Sequence, residues 1–78
     1  MSDINHITGR QLAAARALAG LDQAELAERA NISAPTLRRM EATRSSAVPM
    51  TNNVYAVIHA LEAAGIEFIN GSGVKLRA

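Results

Sequence analysis

The side chains best equipped for recognition chemistry lie close together in "NISAPTLRRM", residues 31–40. Arg38 and Arg39 each carry a planar fork of hydrogen-bond donors that matches planar anionic acceptors. Ahead of them stand the small residues Ser33 and Ala34, then Pro35 and Thr36. A segment that only has to pack needs no such order, with small side chains first and two guanidinium groups one turn in. A segment whose first turn is pushed into a partner does. Taken alone, two adjacent arginines are more often a solvated helix face than a site, so the surrounding spacing has to decide.

Other chemistries find no support. The chain has 78 residues and no cysteine, which removes disulfides, thiolate zinc sites and thiol catalysis together. His6 and His59 are far apart in sequence with no carboxylate pair near either, so no metal or catalytic role is expected. "NGSG", residues 70–73, has neither the length nor the lysine of a phosphate-cradling loop. No nucleophile–base pairing appears. The expectation is therefore a protein that is not an enzyme and uses no cofactor.

Charge and hydropathy narrow the class further. The net charge of +1 is small for a protein that grips nucleic acid by bulk charge, so any such binding would depend on where the charges sit. "MSDINHITGR" carries no apolar run of the signal-peptide kind, and no stretch approaches the roughly 18 apolar residues of a membrane span. A cytoplasmic location without membrane attachment is expected, which the missing cysteine also fits. The apolar fraction is 49%, much of it alanine, against 3% aromatic, which points to a small, mostly helical domain with a thin core.

The elements that must position Arg38 and Arg39 are legible from caps and periodicity. Residues 1–7 read as a polar, flexible arm. Thr8 with Gln11 forms a capping box for a helix over 9–19, stopped by Gly20, with Leu12, Ala15, Arg16 and Ala19 on one face. Asp22 with Glu25 opens a second helix over 23–30, with Leu26, Ala27 and Ala30 inward. Asn31 takes the place usually given to glycine, because asparagine enters the left-handed conformation more readily than most residues. Ser33 caps a third helix over 34–42, and Pro35 is tolerated in its first turn, where backbone N–H groups lack intrahelical partners. After the loop "TRSSAVPM", Thr51 caps a fourth helix over 52–64, with Val54, Val57, Ile58 and Leu61 as its apolar stripe, ended by Gly65. "IEFI" and "VKLR" around "NGSG" read as a β-hairpin. The second and third helices, joined by a tight turn, make a helix-turn-helix, and small Ala27 sits where the two must nearly touch.

With those positions set, "LDQAELAERANISAPTLRRMEATR" resembles the Cro- and phage-repressor-like (XRE-type) helix-turn-helix regulators. The "Q-x-E-L-A" opening, the turn, "S-x-x-T-L" and the glutamate after Met40 keep the family's spacing, and the resemblance covers about residues 9–65. Departures are Asn31 in place of glycine, Asp22 in place of Ser or Thr, and "IEFINGSGVKLRA" in place of a fifth helix. The resemblance implies an all-α, lambda-repressor-like bundle, here with a short C-terminal β-hairpin. The domain plan is an arm at 1–7, a DNA-binding domain at 8–65 and a β segment at 66–78.

It also implies a sequence-specific transcription regulator that binds double-stranded operator DNA. In that family the third helix enters the major groove with its N-terminal residues at base edges. Carried over, Ala34, Pro35, Thr36 and Arg39 would read bases, with Arg39 long enough to reach a guanine. Gln23 would meet phosphate at the start of the second helix, and Arg38, Arg44, Thr51 and Asn52 would touch backbone as well, with Ser45 and Ser46 near Arg44. Arg16 and Glu41 occupy positions that pair in the family as a partly buried salt bridge.

The tail completes the reading. Alternation sets Ile66 and Phe68 on one face of a strand and Val74 and Leu76 on one face of the next. A lone hairpin is marginal, so it needs a floor or a partner strand. Leu18 and the fourth helix would supply the floor. A two-fold partner would supply the strand, with Ile66, Phe68, Ile69, Val74 and Leu76 at a homodimer interface that includes part of the fourth helix. The rival reading is a helix-turn-helix domain used as a protein-interaction module, an antiactivator or the antitoxin-like partner of another protein.

Overall fold

The computed structural model describes residues 6–43, 48–69 and 73–77. Four helices, α1 (Gly9–Leu18), α2 (Gln23–Ala30), α3 (Ala34–Ala42) and α4 (Asn52–Ala63), are followed by strands β1 (Ile66–Ile69) and β2 (Gly73–Leu76). The strands pair antiparallel, with Ile66 opposite Leu76 and Phe68 opposite Val74. Compared with the sequence reading, α1 and α4 each end one residue earlier and β2 begins one residue earlier, at Gly73.

Local chemistry explains each helix start. Thr8 and Asp22 close full capping boxes with Gln11 and Glu25, while Ser33 and Thr51 accept hydrogen bonds from the backbone N–H groups of Thr36 and Val54. In three of the four helices the residue before the cap is apolar, and so is the residue at the fourth helical position. Those pairs are Ile7 with Leu12, Leu21 with Leu26, and Ile32 with Leu37, and all six belong to the core or pack on it. This is the pattern of a hydrophobic staple, which fixes the angle at which the chain enters a helix. Asn31 ends α2 with φ 58°, the left-handed conformation expected of it.

The core gathers one stripe from each helix: Leu12 and Ala15, Leu26, Ala27 and Ala30, Leu37 and Met40, and Val54, Val57, Ile58 and Leu61. α1 lies across α3 so closely that Gly9 has no room for a side chain. A Cβ built there would stand 2.5 Å from the backbone oxygens of both Met40 and Thr43. The first turn of α1 therefore sits on the last turn of α3, and Val48, where the described chain resumes, is buried and donates its N–H to the oxygen of Ile7 at 2.7 Å.

Two expectations change here. Of the arm expected over 1–7, residues 1–5 lie outside the described residues, and Ile7 is fully buried, so it packs with the domain. An isolated isoleucine among polar residues has no periodicity to betray it, but its place just before the Thr8 cap does. Ile66 and Phe68 are likewise buried within their own chain, at 0% and 4% exposure, and Val74 packs against the same core. Those three residues are covered without a partner subunit. Ile69 and Leu76 stay about half exposed, at 48% and 54%. Leu18, expected as part of the hairpin's floor, is also exposed.

The hairpin rests on α1 and α4 and is fastened by one buried amide. Gln11 accepts from the Thr8 N–H at 3.0 Å and donates from Nε2 to the oxygens of Ile69 (2.9 Å) and Gly73 (3.2 Å). Both strand ends are thus tied to the first turn of α1. The same residue closes the capping box, so one side chain starts a helix and holds a hairpin.

Candidate functional site

α2 and α3 form the two arms of the motif, and the turn between them is short because Asn31 reverses the chain in a single left-handed step. Leu26, Ala27 and Ala30 on α2 and Leu37 and Met40 on α3 are buried between them and the rest of the core. What remains outward on α3 is Pro35, Arg38, Arg39 and, at its end, Ala42, with Thr36 half-buried. Ala34 is partly taken up in packing against the core, so less of it is available at the surface than the sequence reading assumed.

The outward face of α3 is organised by short polar contacts. The Ser33 and Thr36 hydroxyls lie 2.8 Å apart, and Arg39 Nη2 reaches Thr36 Oγ1 at 3.4 Å, a weak bond. Among the described residues neither Arg38 nor Arg39 is paired with a carboxylate. Two guanidinium groups are therefore held on the second helix of the motif with their charge unspent.

Arg39 also opens onto a groove of about 240 Å³ between α3 and the start of α4. Met40, Val48 and Val54 give it an apolar floor, and Thr36, Thr43, Thr51 and Asn53 give it a polar rim. Two residues assigned to different contacts, Arg39 and Thr51, thus share one depression. Thr51 caps α4, and its neighbour Asn52 is exposed. A helix N-terminus with exposed small polar side chains suits an anionic backbone. Asn53 and Thr43 were not anticipated; Asn53 in the first turn of α4 was within reach of the cap argument, whereas Val48 belonged to a stretch read only as a loop. Arg44, Ser45 and Ser46 lie outside the described residues.

Behind this face is a polar network. Arg16 donates Nε to Glu41 Oε2 at 2.8 Å, Nη2 to Glu41 Oε1 at 3.0 Å and Nη1 to the oxygen of Leu21 at 3.1 Å. The Glu41 side chain is 7% exposed and that of Arg16 21%, so this two-point bridge from α1 to α3 is largely withdrawn from water. The hydrogen bond to Glu41, opposed by burial, raises the pKa of the Arg16 guanidinium, with the nearby charges of Glu41 and Asp22 acting in the same direction as that bond. Gln23, assigned to phosphate, joins the same carboxylate, donating Nε2 to Glu41 Oε1 at 3.0 Å. No spacing argument foresaw this third member.

The remaining candidates do not converge. Tyr55 and His59 lie one turn apart on the outer side of α4 with ring centroids 6.4 Å apart. Among the described residues no group of His, Asp and Glu is arranged to hold a metal ion, and no helix is long and apolar enough to cross a membrane.

Comparison with known proteins bears on this arrangement directly. No curated protein matches the chain. A family model described as "Helix-turn-helix domain" matches residues 8–67, which takes in α1 to α4 and the start of β1. With that match over most of its length, the chain belongs to the helix-turn-helix domain family.

Proposed function

We propose that this chain is a sequence-specific DNA-binding transcription regulator, a lambda-repressor-like domain of the Cro-like type acting as a homodimer on operator DNA in the cytoplasm. The observation that carries the reading is that, among the described residues, Arg38 and Arg39 on the second helix of the motif meet no carboxylate, beside a groove shared with the start of α4. α3 enters the major groove by its first turn. Pro35 and Thr36 offer apolar contact to base edges, Arg39 reaches a guanine, and Ala34 contributes its exposed part. Arg38, Gln23, Thr51 and Asn52 take phosphates on either side, with Arg44 from the following loop. No catalytic step and no cofactor belong to this reading.

With a net charge of only +1, affinity depends on placed contacts more than on bulk attraction. Selection from a randomised duplex library near physiological salt tests this. A two-fold-symmetric motif is the expected result. A folded protein that enriches no sequence would reject the reading and favour a protein-interaction module in its place.

A further inference from the structure

Glu41 lies at the crossing of two roles that the sequence keeps apart. Its carboxylate is fixed from one side by Arg16, through bonds of 2.8 and 3.0 Å. From the other side its Oε1 accepts the amide of Gln23 at 3.0 Å. An ionised carboxylate only accepts, so the end of the Gln23 amide that meets it must be the NH₂ group. That removes the usual ambiguity in how a glutamine amide is turned. The amide has two N–H donors. One is spent on Glu41, and among the described residues the other has no partner.

Gln23 is the first residue of α2, where backbone N–H groups also lack intrahelical partners. A free glutamine side chain would lose rotamer entropy when an anion fixed it. Here that ordering has been done in advance by a buried group. The arrangement also answers an electrostatic objection, since a carboxylate behind a phosphate contact would repel the phosphate. Arg16 offsets that charge, so the pair presents Gln23 without presenting a net negative field.

We propose that Glu41, with Arg16 neutralising it, is a positioning residue for the phosphate contact of Gln23, in addition to bridging α1 to α3. This rests on the DNA-binding reading above. It predicts coupling between residues 23 and 41 in DNA affinity, which a purely structural salt bridge would not produce.

The test is a double-mutant cycle on the dissociation constant for the duplex enriched from the library, or for a mixed-sequence duplex if none is enriched. In the wild-type background, Gln23→Ala should weaken binding about 10-fold; with Glu41→Ala already present it should weaken binding by no more than about 2-fold. Because Glu41→Ala leaves Arg16 unpaired, the cycle is repeated in Arg16→Met/Glu41→Leu, where an apolar pair replaces the ions and folding is preserved. The same loss of the Gln23 effect is expected there. A second readout needs no DNA. The Gln23 side-chain NH₂ resonances should be dispersed in the wild type and collapse toward random-coil positions in either background.

Full additivity in both backgrounds, with tight duplex binding retained, overturns this proposal alone. A folded wild type that binds no duplex overturns the reading beneath it and this proposal together. An NH₂ signal unmoved by loss of Glu41 also overturns it.

Discussion

At the scale of single residues, the proposed recognition turns on which guanidinium groups are engaged among the described residues and which are not. Arg16 is committed to Glu41 and to the oxygen of Leu21. Among the described residues the Arg39 guanidinium has only a 3.4 Å contact to Thr36. We expect Arg39→Ala to leave melting temperature nearly unchanged and to flatten preference at one base position by about 1–3 kcal/mol, read from selection with the mutant protein. Glu41→Ala should act in the opposite way on stability. Removing one member of a largely buried pair costs about 3–5 kcal/mol, and the partial exposure of Arg16 places this case near the lower end, measurable by denaturant titration. Much of this was legible beforehand, since Arg16, Glu41 and Arg39 were each set apart by spacing and resemblance. The bond from Gln23 to Glu41 was not. It joins residues eighteen apart in sequence through side-chain ends whose meeting depends on how α2 leans on α3.

At the scale of elements, caps were the strongest signals because each is a local contract between a side chain and N–H groups three residues away. Thr8, Asp22, Ser33 and Thr51 therefore marked the helix starts correctly. Ile7 and Val48 escaped notice because their burial is set by tertiary neighbours and not by periodicity. Gly9 shows how packing reverses a local rule. Gly→Ala within a helix normally stabilises by roughly 0.5–1 kcal/mol. At residue 9 the added methyl would meet the backbone oxygens of Met40, Glu41 and Thr43 within 2.7 Å, and backbone cannot turn aside as a flexible side chain can. Gly9→Ala should then destabilise by about 1–3 kcal/mol, the range for overpacking. It should also weaken DNA binding by shifting α3, whereas a rise in melting temperature would show that α1 and α3 are not in close contact.

At the scale of the whole molecule, the hairpin has to be divided into what the monomer uses and what it leaves over. Ile66 and Phe68 face inward and complete the core, and Gln11 ties both strand ends to α1. A chain cut after Gly65 should consequently lose its cooperative fold, so truncation says little about assembly. The surplus is different. Leu18, Ile69 and Leu76 remain 42%, 48% and 54% exposed, and Leu18 and Leu76 stand on two elements that pack together, α1 and β2. A second copy placed there would bury apolar surface that the monomer leaves in water, and about 25 cal/mol per Å² of it would favour the dimer. The edge itself carries charge, because Lys75, paired with Glu67 of β1 at 4.0 Å, stands on β2 and Arg77 just beyond it, and charged side chains on an edge strand disfavour direct pairing of two β2 strands. The homodimer we propose therefore joins through the apolar surfaces of α1 and β2 and not through a continuous sheet. Leu18→Lys/Leu76→Lys should convert it to monomer in sedimentation equilibrium. Because both positions are already exposed, unfolding of the monomer should change by no more than about 0.5 kcal/mol. On DNA, the double variant should keep half-site contacts but lose the tight binding that comes from engaging two half-sites at once. A wild type that sediments as a monomer at all accessible concentrations would remove the dimer from the proposed function while leaving α3 as the reading helix.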